Sequence, residues 1–332
     1  MVSKKRNYTL EMIKLIAAYM VVFIHVPFAG NMGAAVSALA RFAVPLFFAV
    51  SGFYSYNIAP DKILKRTKNI FLLFIVGMGC FTLPKMALFV LSRDIQGIPA
   101  YFAEYLNWEA LQSLIFFNVP VHADYLWYLL ATLYVYLLWY VAVKCKVKEN
   151  VLFVCGGILL IVTLVLKEGS ALIGQPIHYP LLRTFVGMGF PFFAMGQLLK
   201  KYESKLCSIN DVVIALIIGL GVAETMASFF CIGVQEVYLG SVLIVFGLMV
   251  IAVKRANAVC VPLASRLSGC STYIYFLHPI LSGIMIRGYA MAHIDYAASA
   301  ALQWVHPFLV CVVSTVLAYG MVKTVHKWVF GK

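Results

Sequence analysis

Ten long apolar runs divide almost all of this chain, and each is about as long as a bilayer core is thick. A helix needs about 20 mostly apolar residues to cross roughly 30 Å of hydrocarbon. Runs of this order lie at residues 10–29, 37–57, 69–91, 124–143, 151–166, 182–199, 212–231, 237–253, 271–290 and 301–322. Hydrocarbon offers no water to backbone N–H and C=O groups, so spanning segments of this length must satisfy them internally as helices. The pattern predicts an all-α integral membrane protein: a single bundle of about ten transmembrane helices filling residues 1–332 as one membrane domain. Composition agrees, because only 12% of the 332 residues are charged and mean hydropathy is +0.92, whereas a soluble domain carries about 25% charge.

The charges that remain are placed unevenly. Of 26 Lys and Arg residues, 19 precede the first run, follow the tenth or fall in the loops on that same side, whereas Arg93, Lys167 and Arg287 fall on the other. Cytoplasmic loops carry such an excess, so both termini are expected in the cytoplasm and the chain in the cell membrane as a multi-pass protein. The net charge of +13 is then a topology signal, and nucleic acid is not needed to explain it. The first run exceeds the apolar core of a secretory signal and is expected to be retained. Eight Cys residues lack C-x-x-C or metal-ligand spacing, so no metal site is expected. In the long connection 92–123, Ile98, Tyr101, Phe102, Tyr105 and Leu106 repeat at helical spacing, which predicts a helix lying in the interface.

One polar stripe crosses the first run. At about 100° per residue, Lys14 lies about 20° and Glu11 about 40° from His25 around the helix surface. Ionisable groups at membrane depth cost a few kcal/mol or more and normally mark a functional interior or cavity. A neutral imidazole accepts and returns protons near physiological pH, which makes His25 a candidate general base; a buried structural donor is the competing account. Lys14 is about 16 Å of helix rise from His25, so the two cannot touch, and a shared role requires the stripe to line a passage. Glu11 and Lys14 at i,i+3 also fit a boundary ion pair.

Other candidates follow along the chain. Arg41 precedes Val44-Pro45-Leu46-Phe47-Phe48-Ala49-Val50-Ser51-Gly52-Phe53, where it can hold a polar substrate or snorkel to the interface. Lys62, Lys65, Arg66 and Lys68 crowd a short cytoplasmic turn suited to the phosphates of a cytosolic donor, to anionic lipid or to topology alone. Trp127 and Tyr128 stand at headgroup level, where they can also stack on a sugar. Ser271-Thr272-Tyr273-Ile274-Tyr275-Phe276-Leu277-His278-Pro279 brings a second intramembrane histidine. Glu224, in the seventh run, is a further candidate and a possible partner in the site.

Taken together, Lys14-(ten residues)-His25, the Val44–Phe53 segment, Lys65-Arg66-Thr67-Lys68, Leu126-Trp127-Tyr128-Leu129 and Tyr275-Phe276-Leu277-His278-Pro279 resemble the acyltransferase-3 membrane family, which includes bacterial O-acetyltransferases of cell-envelope polysaccharides. The membrane domain of vancomycin-resistance serine racemases is similar too. The resemblance implies acetyl-CoA as cytoplasmic acyl donor and a hydroxyl of an envelope glycan or lipid-linked sugar as acceptor. It implies His25 as the essential base, acting with Lys14 and Glu11, and places Lys65, Arg66 and Lys68 near the coenzyme phosphates. Arg41, Ser51, Trp127, Tyr128, Tyr275 and His278 are expected to hold substrate. Three positions depart from the family pattern: Glu11 stands where Asp is usual, Tyr125 where His often precedes Leu-Trp-Tyr, and Asn69 where another Arg closes the basic segment.

A membrane O-acyltransferase is therefore the leading expectation. A transporter or flippase using the same polar stripe for substrate or protons is the alternative, and a structural or sensory component is a third.

Overall fold

Asn7 opens the first helix by accepting a hydrogen bond from the Leu10 N–H, satisfying one of the donors that a helix start leaves orphaned. The computed structural model describes residues 6–177 and 182–324, and every regular element among them is helical. Lys4, Lys5, Lys327 and Lys332, which contribute to the charge asymmetry, lie outside the described residues.

Helix α1 (Tyr8–His25) ends just before Pro27. Gly30, at φ +69°, reverses the chain into α2 (Gly30–Leu39), which continues through a short tighter turn into α3 (Ala43–Phe53). The expected second span, 37–57, is thus shifted toward the N-terminus. Gly33 makes the early start feasible, since a Cβ there would lie 1.9 Å from the Phe28 carbonyl oxygen.

The long α4 (Pro60–Leu91) is followed by α5 (Gly97–Leu106) and α6 (Trp108–Phe117), two short helices where the pattern predicted one. They are separated by Asn107, whose side chain caps α6 by accepting from Ala110 N. Next come α7 (Trp127–Lys144), α8 (Glu149–Leu164) and α9 (Ser170–Leu172). A wide π turn, Val165–Gly169, joins α8 to α9, so Lys167 sits buried within a helix rather than in the loop expected from sequence.

A second π turn, Phe185–Gly189, leads into α10 (Phe190–Lys201), followed by α11 (Glu203–Leu206), α12 (Asp211–Ile232) and α13 (Leu239–Lys254). Helices α14 (Val261–Leu267) and α15 (Cys270–Met291) meet at a 53° bend around Gly269, whose φ of +85° favours glycine. Helix α16 (Ala300–Thr324) closes the described chain.

Seven helical segments among the described residues are long and apolar enough to cross a membrane, or eight if the bent α14–α15 pair counts as one span. Helix α13 is apolar but shorter. The segments differ in how they are used. The α4, α8–α9 and α12 spans are 11%, 11% and 17% buried within the protein, against 56% for α2–α3 and 61% for α7. The first three therefore present apolar side chains outward, as lipid-facing helices do, while α2–α3 and α7 form the interior.

Interior packing depends on close backbone approach. A Cβ on Gly52 of α3 would lie 1.9 Å from the Phe193 carbonyl oxygen of α10, and one on Gly196 of α10 would lie 1.8 Å from the Ala49 carbonyl oxygen of α3. Glycine on both partners is what lets two membrane helices touch along their backbones. Phe48 and Phe193 fill the space on either side and are fully buried. This crossing holds α3 in place, and α3 carries residues of the site described next.

Candidate active site

Helix α1 ends with His25 against two rings from elsewhere in the bundle. Its imidazole lies 5.5 Å, centroid to centroid, from that of His278 on α15, with the planes 28° apart, and meets the edge of Tyr125 at 4.9 Å. His278 Nδ1 is 3.0 Å from the Ile274 carbonyl oxygen. A carbonyl only accepts, so Nδ1 carries the hydrogen and Nε2 is left as an acceptor. That Nε2 is buried without a hydrogen-bond partner, and His278 as a whole is 1% exposed. Tyr275, three residues before, donates its hydroxyl to the Tyr125 carbonyl and so ties α15 to the segment leading into α7.

Two cavities of similar size border this region. The first, about 220 Å³, is lined by Ile24, His25, Arg41, Val44, Asp124, Trp127, Arg183, Met188 and Glu236. Arg41 Nη1 donates to Glu236 at 2.9 Å, and the Arg183 guanidinium lies 4.8 Å over the Trp127 ring. The second, about 230 Å³, is lined by Lys14, Phe47, Ser51, Tyr128, Thr132, Ser271, Tyr275 and neighbouring apolar groups. Trp127 and Tyr128 are consecutive, yet one lines the His25 cavity and the other the Lys14 cavity. The two cavities thus lie back to back across the first turn of α7.

The Lys14 cavity has a fixed polar wall. Lys14 Nζ donates to Glu11 at 2.9 Å, and Glu11 accepts a second hydrogen bond, 2.8 Å, from Ser268. Glu11 therefore orients Lys14 and does not line either cavity.

The basic segment is helical, on the first turns of α4, and its members diverge. Arg66 Nη1 reaches inward to Ser55 Oγ at 2.7 Å, while Lys65 and Lys68 are exposed. Ser55 gives its one hydroxyl hydrogen to the Ser51 carbonyl, 2.6 Å away, so it accepts from both Arg66 and Tyr136. Arg66 is consequently tied to the backbone of Ser51, a residue of the Lys14 cavity.

Of the residues expected from sequence, the structure gathers His25, Arg41 and Trp127 around one cavity and Lys14, Ser51, Tyr128 and Tyr275 around the other, with His278 against His25. Glu224 is not with the histidines. It shares Ser228 with Glu168 and accepts from the Gly240 backbone at the start of α13. Sequence reasoning did not single out Glu236 or Arg183. A buried arginine needs a carboxylate partner, so Arg41 pointed to one, but its position in the short α12–α13 connection is visible only in three dimensions. Among the described residues no cluster of three or more His, Cys, Asp or Glu side chains is placed to hold a metal ion.

Comparison with known proteins gives one result. No curated protein and no solved structure matches. The acyltransferase-3 family, described as an acyltransferase domain, matches residues 7–323, nearly the whole chain. The polar cavities and their histidines are therefore set in a membrane-protein framework whose entire length fits one family pattern, and the chain belongs to the acyltransferase-3 family.

Proposed function

We propose that this protein is a membrane O-acetyltransferase that moves an acetyl group from cytoplasmic acetyl-CoA to a hydroxyl of an envelope glycan or lipid-linked sugar. The supporting observation is the pair of neighbouring cavities, one lined by His25 and Trp127 and the other by Lys14, Tyr128 and Tyr275, with His278 stacked on His25. In this reading α10 and α13 cross as well, which makes ten spans with both termini in the cytoplasm, so the Lys14 end of α1 faces the donor and the His25 end faces the acceptor. Membrane lipid surrounds the α4, α8 and α12 faces.

In this reading the acceptor hydroxyl enters the His25 cavity and the thioester enters the Lys14 cavity. His25 takes the hydroxyl proton as the oxygen attacks the thioester carbonyl. The new C–O bond forms, the C–S bond breaks, and the proton passes from His25 to the departing thiolate. Negative charge on the carbonyl oxygen is met by the hydroxyls of Ser51 and Tyr128, and Lys14 lines the path by which the donor enters. Glu11 holds Lys14 in position, Arg41 and Trp127 hold the acceptor, and His278 packs the His25 ring. Lys65, Arg66 and Lys68, on the first turns of α4, meet the coenzyme phosphates.

Purified protein supplied with labelled acetyl-CoA and a glycan acceptor tests this reading. Transfer of label that disappears in His25→Ala supports it. Intact thioester together with movement of substrate across the membrane favours the transporter instead.

A further inference from the structure

We propose that Glu168 and Glu224 hold a single proton between them through Ser228, and that this carboxyl pair is the positioning element that aims Glu236, and through it Arg41, into the His25 cavity. The positioning half rests on the transferase reading above for its kinetic consequence; the shared proton stands apart from that reading.

A count of hydrogens assigns the proton. Ser228 Oγ lies 2.5 Å from Glu168 Oε1 and 3.0 Å from Glu224 Oε1. A hydroxyl has one hydrogen to give and an ionised carboxylate has none, so with both carboxyls charged one of the two contacts lacks a hydrogen. With one proton added, both contacts become bonds: Glu224 donates to Ser228, and Ser228 donates to Glu168. The lengths agree, because an O–H bond onto a charged carboxylate is the shorter kind. Glu168 is therefore the carboxylate and Glu224 the neutral acid.

The surroundings suit that charge state. Glu168 and Ser228 are buried, and Glu224 stands on the spanning helix α12, about 12 Å of rise before its end. Two like charges sharing one site at such depth are costly. The start of α13 faces the pair: Leu239 N–H donates to Glu168 Oε2 at 2.8 Å, and Gly240 N–H donates to Glu224 Oε2. A helix N-terminus offers the equivalent of about half a positive charge, which matches one carboxylate better than two. Tyr238 lies within electrostatic reach of both carboxyls and of Arg41, while Lys167, on the same π turn as Glu168, lies within reach of Glu236, Arg41 and Arg183. Gly240 permits the approach, since a Cβ there would lie 2.1 Å from the Gly221 carbonyl oxygen and 2.5 Å from the Glu224 carboxyl.

The pair fixes the connection that carries Glu236. Between α12 and α13 the chain turns at Gly233, φ +73°, and closes on Tyr238, whose hydroxyl donates to the Gly233 carbonyl at 2.8 Å and accepts from Gln235 N–H at 2.7 Å. The next residue is held by Glu168 and the one after by Glu224. Glu236 stands inside this clasped segment and accepts from Arg41 at 2.9 Å, and both line the His25 cavity. Cutting either carboxyl away frees the start of α13 and, with it, the aim of Glu236.

Infrared spectra of the purified full-length protein in detergent at neutral pH test the shared proton. The expected result is the carbonyl stretch of a protonated carboxyl group, shifted in D2O, that loses the amplitude of one such group in Glu224→Gln. Should that variant fail to fold, Glu168→Gln serves in its place with the same loss expected, because Glu224 then has no neighbouring charge to avoid. No such band in the wild type, or an unchanged band in the variant, overturns the shared proton.

The positioning role has its own readouts. With labelled acetyl-CoA, Glu224→Ala is expected to raise the acceptor KM about three- to tenfold, as for loss of one hydrogen bond, with the KM for acetyl-CoA unchanged; Glu224→Gln, which keeps both bonds, restores it. In melting, the double variant Glu224→Ala/Glu236→Ala is expected to lose less Tm than the sum of the single variants, because both act on one segment. Additive Tm losses, or an unchanged acceptor KM in a protein that transfers acetyl, overturn the positioning role. A protein that shows the band and the non-additive melting but acetylates nothing removes the transferase reading and leaves this inference standing; transfer with an unchanged band does the reverse.

Discussion

The imidazoles of His25 and His278 stack 5.5 Å apart with their planes 28° from parallel, although 253 positions separate them in sequence. His278 is fixed by its hydrogen bond to Ile274, so it forms a rigid wall against which the end of α1 is set. His25, in contrast, lines a cavity. The pair divides into one ring anchored by a hydrogen bond and one ring that faces a cavity.

His25→Ala is expected to lower acetyl transfer by about 10²- to 10⁴-fold, the range for loss of a positioned general acid–base group. His278→Gln, which keeps polar character but loses the flat ring against His25, is expected to reduce kcat by about three- to tenfold, the equivalent of roughly one hydrogen bond. The double variant is expected to be no worse than His25→Ala alone, because the second ring acts through the first. Steady-state kinetics on the three variants checks this, and fully additive losses contradict it.

The α3–α10 crossing predicts a stability effect remote from the chemistry. Gly52→Ala places a methyl group 1.9 Å from the Phe193 carbonyl oxygen, so the helices must part. The expected cost is about 1–3 kcal/mol, the usual range for overpacking, read as a lower Tm in detergent. Gly157→Ala on the lipid side of α8, where a Cβ meets nothing within 4 Å, is expected to leave Tm unchanged or raise it.

The basic turns of α4 separate by function. Lys65→Gln with Lys68→Gln removes two exposed charges and is expected to raise KM for acetyl-CoA, with an effect that shrinks as salt rises, while Tm is unchanged. Arg66→Gln removes the donor to Ser55 and is expected to lower Tm as well, by the roughly 1.5–3 kcal/mol of a charged hydrogen bond at most. Parallel titration of KM and Tm separates the two. Identical behaviour of all three residues contradicts the division.

His306 supplies a control within the bundle. It is fully buried, with Nε2 3.0 Å from Ser282 Oγ and Nδ1 3.2 Å from the Tyr289 hydroxyl, and it borders neither cavity of the candidate site. His306→Phe leaves both hydroxyls without this partner and is expected to lower Tm at unchanged kcat per folded molecule. A selective loss of kcat assigns this third histidine a part in the chemistry.

How much could be read from the chain alone follows from which forces are local. Long apolar runs are legible because the bilayer imposes length and composition on each helix separately, and the polar stripe Glu11–Lys14–His25 is legible because one helix sets its register. Pairing across the bundle is not local. Nothing in the sequence near Arg41 identifies Glu236, 195 positions away, as its partner. The π turn at Val165–Gly169 likewise leaves no hydropathy signature, so Lys167 reads as a loop cation although it is buried within that turn. Arg66 looks equivalent to Lys65 and Lys68 in sequence, yet helical phase turns it inward to Ser55 and leaves them exposed.

The central claim, that donor and acceptor approach the chemistry from opposite ends of α1, is tested by reconstituting the protein in sealed vesicles of known orientation with acetyl-CoA confined to one face and the acceptor to the other. The account predicts acetylated acceptor when acetyl-CoA is on the face of the Lys14 cavity and the acceptor on the face of the His25 cavity, and none with His25→Ala. Product that forms only when both reactants share one face, or intact acetyl-CoA recovered on the far side, contradicts it.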